Sequence, residues 1–146
     1  MLNLGYEAEV VRIYEADTIA GSGDDQTAAI DMAGYEAVTF LVIAGTIGAA
    51  GLTVTAQQDE NDDAAFADAE DLEDAELTFA DADDDLVGIL DIGKPENRYI
   101  RLNMEAGAND CDVDAVIAIK YRARDLPVTQ GATVVDTVVL VTPEAV

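Results

Sequence analysis

The chain has 146 residues, 31 acidic and 7 basic, for a formal charge of −24 with no histidine. That length suits a single domain with one real core, able to bury about two thirds of the surface its unfolded chain exposes. Half of the residues are hydrophobic, but they are rich in Ala and Val, with 5% aromatics and no Trp. No unbroken apolar run approaches the roughly 20 residues that cross a bilayer, so no membrane role is expected. The charge repels phosphate backbones and removes the term that supplies most nucleic-acid affinity, so neither DNA nor RNA is expected as a partner.

The first seven residues, Met1 to Glu7, lack the basic, apolar and small-residue stretches of a signal peptide, which makes folding in a cytoplasm the expectation. Glu7 to Tyr14 alternates polar or small residues with Val10, Val11 and Ile13 and predicts a strand. Gly21 to Asp25 is turn-like, and Thr27 to Met32 is strand-like. Glu36 to Ala44 is apolar on both faces, with Val38, Phe40 and Val42 on one and Ala37, Leu41 and Ile43 on the other. Bounded by Gly34 and Gly45, it predicts a central or doubly covered strand. Leu52 to Gln58 alternates again, with Leu52, Val54 and Ala56 against Thr53, Thr55 and Gln57.

Asp63 to Asp74 places Phe66, Ala69 and Leu72 at three-residue spacing after the polar Glu60-Asn61-Asp62, which predicts the single short helix. Strands are predicted at Glu76 to Ala80, Leu86 to Ile92, Arg98 to Met104, Ala115 to Ala123 and Thr133 to Val141, separated by Gly, Asp, Asn or Pro punctuation. About eight or nine short strands with at most one short helix predict an all-β, mainly antiparallel β-sandwich or jelly roll. The division expected is a sandwich domain over 1–126 and a C-terminal strand or arm over 127–146, the latter pairing either with its own sheet or with that of a neighbouring subunit. Tyr35, Phe40, Phe79, Tyr99 and Ile117 are the large side chains expected in the core.

Candidate chemistry is sparse. Without His, Ser-His-Asp and Cys-His arrangements and the commonest zinc sites are excluded, and no GxxxxGK[ST], GxSxG or GxGxxG sequence is present. Among 31 carboxylates pairs arise by chance, so they say nothing about glycoside hydrolysis. No catalytic residue, metal ligand set or cofactor is therefore expected, and the chain is expected not to be an enzyme. Cys111, the one cysteine, is expected as a small core or turn residue.

Residues 59–85 hold fourteen carboxylates and no Lys or Arg. Clustered oxygens suit calcium, but the run from Asp81 has Leu86 where an EF-hand loop needs Gly and Ile92 where it needs Glu, so a solvated face is the favoured reading. The basic residues are uneven. Arg12 stands alone in the first 93 positions, whereas Lys94, Arg98, Arg101, Lys120, Arg122 and Arg124 fall within 31 residues. On a strand, Lys120, Arg122 and Arg124 share one face opposite Ile117, Ile119 and Tyr121. These six cations either neutralise the domain's own carboxylates or form a docking surface for an acidic or mixed-charge protein partner.

The stretches Asp31-Met32-Ala33-Gly34-Tyr35-Glu36-Ala37-Val38-Thr39-Phe40, Leu52 to Glu60, Asn97-Arg98-Tyr99-Ile100-Arg101-Leu102 and Leu126-Pro127-Val128 resemble small tailed-phage virion proteins over positions 25 to 130. The resemblance implies a capsid decoration or cement protein, a jelly-roll-like β domain on the outside of an icosahedral head. Such a protein assembles in the host cytoplasm, commonly as a homotrimer, with the major capsid protein as partner. It transfers no catalytic residue. The alternatives are a calcium- or carbohydrate-binding β-sandwich module, or another phage component of the tail or of head completion.

Overall fold

A computed structural model describes residues 3–139. Two antiparallel sheets face one another, as the alternating pattern predicts. After a four-residue helix α1 (Leu4–Glu7), the first sheet holds β1 (Glu9–Tyr14), β5 (Tyr35–Ala44), β8 (Val87–Gly93) and β10 (Cys111–Ala123) in the order β1-β10-β5-β8, with β2 (Asp17–Ile19) also on β10. The second holds β3 (Asp24–Gln26), β6 (Leu52–Asp59), β7 (Ala69–Phe79) and β9 (Tyr99–Ala106) in the order β3-β9-β6-β7, with β4 (Ile30–Asp31) also on β9.

The core lies between the sheets and is built by period two. Val38, Phe40 and Val42 of β5 point inward, in register with Lys120, Ala118 and Val116 of β10 and with Ile92, Leu90 and Gly88 of β8. From the other side Leu52, Val54, Ile100, Leu102 and Met104 close the space, each fully buried. Gly88 belongs there for steric reasons, since a Cβ would lie 2.7 Å from Cζ of Phe79 and displace that ring. β5 is central, as expected, but its outer face is only partly covered: Ala37 is buried there, while Leu41 and Ile43 lie half-buried on the outside of the first sheet.

Several expectations need correction. No helix forms over Asp63 to Asp74; the chain turns twice and enters β7 at Ala69. The reason is local. Carboxylate oxygens of Asp59 take the amides of the turn, and Phe66 sits at φ +54°, where a helix cannot continue. β7 is therefore longer than predicted, and Leu72 to Ala75 form a bulge, since Thr55 pairs with Glu76 and Gln57 with Asp71. Thr27 to Met32 yields only the two-residue β4, and β3 occupies part of the stretch read as a turn.

Of the predicted core residues, Phe40 and Phe79 are buried and Tyr35 packs at the core's margin. Tyr99 and Ile117 point outward and are half-buried, because their strands place Ile100 and Val116 inside. Cys111 is a buried small residue. From Thr133 to Val139 the chain forms no strand, and the rest of that predicted strand lies outside the described residues.

Phe40→Ala is expected to cost about 3–5 kcal/mol by urea unfolding, and Ile117→Ala under about 1 kcal/mol, because only the first leaves a cavity between the sheets. Equal losses would contradict this placement.

Candidate functional site: a divided set of cations

The six cations gathered in the sequence are separated by the fold. Lys120 is inward-facing and 7% exposed. Its Nζ lies 2.8 Å from Oε2 of Glu9, donates to the carbonyl of Asp31 at 2.9 Å, and sits 4.6 Å from the centroid of the Tyr35 ring. It thus ties β10 of one sheet to β4 of the other and closes one end of the core. Burial, and then the nearby Glu9 carboxylate, push the Tyr35 phenol up to about 12. The exposed cationic stripe of Lys120, Arg122 and Arg124 does not form, since alternation turns Lys120 toward the interior.

Arg98 is also committed internally. Its Nε and Nη2 fork onto the two carboxylate oxygens of Asp31, each at 2.8 Å, and this hydrogen bonding holds the Asp31 carboxyl below its ordinary range. Arg101 lies on the outer face of the second sheet, donates from Nε to Oε1 of Gln57 at 3.0 Å, and covers the Phe66 ring at 4.5 Å. Lys120 and Arg98 thus pair with the domain's own carboxylates, whereas Arg101 takes a neutral partner.

Lys94, Arg122 and Arg124 differ. All three are exposed, and none makes an ion pair among the described residues. Lys94 donates its amide to the carbonyl of Glu36, Arg124 donates to that of Gly34, and Ala123 pairs with Tyr35. The three therefore share one end of the first sheet, beside the start of β5. Arg122 leans over Tyr121 at 5.7 Å, and the Tyr121 hydroxyl donates to Asp91 at 2.7 Å.

Several carboxylates of the acidic segment accept backbone amides. Asp59, fully buried, accepts from the amides of Asn61 (2.8 Å) and Asp63 (3.1 Å) on Oδ1 and from Asp68 (3.0 Å) on Oδ2. Burial alone would raise its pKa; those three amides, helped by Arg101, outweigh burial and hold it low. Asp83 accepts from Ala80 at 2.8 Å and Asp84 from Ile47 at 2.7 Å. Among the described residues no three acidic or Cys side chains converge in a metal-binding geometry. Gln58 Oε1 is the one buried side-chain acceptor there without a partner.

The outer faces of the two sheets contrast. Outward positions of β6 and β9 carry Thr53, Thr55, Gln57, Arg101 and Asn103, whereas those of β5, β8 and β10 carry Leu41, Ile43, Val87, Ile89 and Ile117. Val87 and Ile89 are 53% and 62% exposed. The sequence already held this difference, in the two apolar phases of β5 against the single apolar phase of β6. Only the sheet order shows that these side chains form one surface.

No protein-family model and no curated protein matches the chain. Among solved structures it is similar to the PBSX exported protein XepA, at 14% identity and a TM-score of 0.57, over 99% of this chain and 46% of that one. What they share is a fold. The chain spans about half the length of XepA. Weaker likenesses are to a protein of the disulfide-linked pili of Bacillus endospore appendages (11% identity, TM-score 0.46, 80% of this chain and 91% of that one) and to a CBM4 structure (16%, 0.40, 79% and 76%). Neither reaches a TM-score that supports an argument.

Removing the Lys120 ammonium (Lys120→Met) leaves Glu9 without its partner and is expected to destabilise the domain by about 3 kcal/mol in urea. Arg122→Glu is expected to leave the unfolding midpoint unchanged. For Asp59 the folded pKa is depressed, so its contribution is complete above its ordinary value of about 4 and is lost as pH falls through the lower folded value. Asp59→Asn should therefore be less stable than the parent at pH near 7, with the gap narrowing as pH falls below the ordinary carboxylate range. A gap independent of pH would contradict the amide cradle.

Proposed function

We propose that the chain is a structural protein of a phage particle, a decoration protein that binds the outside of the capsid through the cationic end of its first sheet. The observation that carries this reading is the grouping of Lys94, Arg122 and Arg124 at one end of a chain of charge −24. On so acidic a protein three exposed cations, set among the exposed Glu36, Glu96 and Asp125, make a mixed-charge patch unlike the rest of the surface, and the surrounding charge disfavours wrong contacts. Arginine suits carboxylate-bearing partners because its planar fork matches them.

Three further features support the reading. The sequence pattern resembles tailed-phage virion proteins, the β-sandwich fold is shared with a phage exported protein, and the acidic exterior repels packaged DNA. The acidic segment offers little to the alternative of a calcium-binding module, since its best-placed carboxylates already accept backbone amides.

The test is co-sedimentation with purified heads lacking the protein. Binding is expected to weaken by roughly tenfold or more in the Arg122→Glu/Arg124→Glu variant and to fall with added salt, while its unfolding midpoint stays unchanged. Binding of the variant equal to the parent's would remove this docking end, and no binding by either would remove the decoration role.

A further inference from the structure

The edges of the two sheets are protected unequally. β7 is lined with Glu70, Asp71, Glu73, Asp74 and Glu76, charges that discourage pairing with another strand. At β1 the edge amides of Val10 and Arg12 are occupied by the chain itself. Val10 donates to Oε1 of Gln130 at 2.8 Å and Arg12 to Oγ1 of Thr133 at 3.1 Å, while Gln130 Nε2 donates to the carbonyl of Ala8 at 2.7 Å.

β8 has neither protection along its first half. Ala44 donates to the carbonyl of Leu86 and Lys94 to that of Glu36, which fixes the phase: even-numbered residues of this strand bond β5. The amide and carbonyl groups of Val87, Ile89 and Asp91 then point to the open side. Among the described residues β8 pairs with no other strand. The bulge of β7 at Leu72 to Ala75 lies beside Leu90 to Gly93, and Leu77 and Phe79 of β7 approach the inner side of Gly88, while Val87 and Ile89 remain 53% and 62% exposed, so the open stretch is the apolar one.

The opposite edge of the same sheet carries the reverse defect. Residues 134–139 read Val-Val-Asp-Thr-Val-Val, five β-branched residues in six, the composition that strands favour. They lie in no sheet, and Val135 and Val138 are 103% and 84% exposed. Thr133 is held at β1, three strand spacings or about 14 Å from β8, so crossing to β8 within one chain would consume four or five of these six residues at about 3.3 Å each.

We propose that residues 134–139 of one copy extend along the open β8 edge of a second copy and add a strand to its first sheet. Main-chain hydrogen bonds to Val87 and Ile89 supply the pairing, and the valines cover the exposed aliphatic side chains of β8. Donor and acceptor are different surfaces, so the contact is heterologous, and a set of copies closes into a ring when the rotation allows. Because each copy carries −24, association tightens as salt screens the repulsion, opposite in sign to docking through cations.

The test uses the full chain. Light scattering in low and high salt is expected to show oligomers that strengthen with salt, and Ile89→Lys, a solvent-exposed edge change, is expected to weaken them by roughly tenfold or more. Independently, a Val87→Cys chain mixed with a Val138→Cys chain is expected to form a disulfide between copies that neither chain forms alone; Cys111 is buried and stays silent. A monomer at every salt concentration, oligomers indifferent to Ile89→Lys, or Val87→Cys chains that crosslink to themselves as well as to the mixture would each overturn the proposal.

Discussion

Between the two sheets, Phe40 and its neighbours Val38 and Val42 meet Leu52, Val54, Leu102 and Met104 with no solvent contact. This burial has to outweigh the self-repulsion of a chain carrying −24 as well as the ordering of its backbone. With 5% aromatics the core is made of aliphatic side chains of modest size, which fill a sandwich only when both sheets hold strict alternation. Register thus becomes the controlling variable: a slip of one residue would turn the apolar set of β6 outward and bring Thr53, Thr55 and Gln57 in.

The charge is organised around that core. Two cations pair with the domain's own carboxylates: buried Lys120 joins the sheets through Glu9 and Asp31, and the exposed Arg98 forks onto the same Asp31. Carboxylates in the turns act as acceptors for backbone amides, so Asp59 shapes the connection from β6 to β7 in place of a helix. What remains for a partner is a small cationic end and an aliphatic outer face on the first sheet, with a polar face opposite.

Alternation and punctuation made the fold class legible, and β5, β6, β8, β9 and β10 fall near their predicted places. The errors share a cause, in that non-local pairing outweighed local pattern. The spacing of Phe66, Ala69 and Leu72 resembles a helix, but the pairing of β7 with β6 and the amides held by Asp59 decide otherwise. Lys120 belongs by sequence with Arg122 and Arg124, yet the end of the core needed a cation to meet Glu9. Short strands such as β2 and β3 form because longer strands template them, which no window of three residues reveals. Of the candidate site, the cluster of cations was visible in the sequence; its division was not, because Lys120, Arg122 and Arg124 share one parity and only the place where the core ends, between Lys120 and Arg122, separates them.

A decoration protein is a stoichiometric part of the particle it binds. Quantitative mass spectrometry of purified particles, with the major capsid protein as the internal standard, measures it directly. Many copies per particle are expected, in fixed proportion to the capsid protein and reduced by high-salt washing. Particles that lack the chain while the lysate holds it free would contradict the account, and a handful of copies per particle would contradict decoration of the shell.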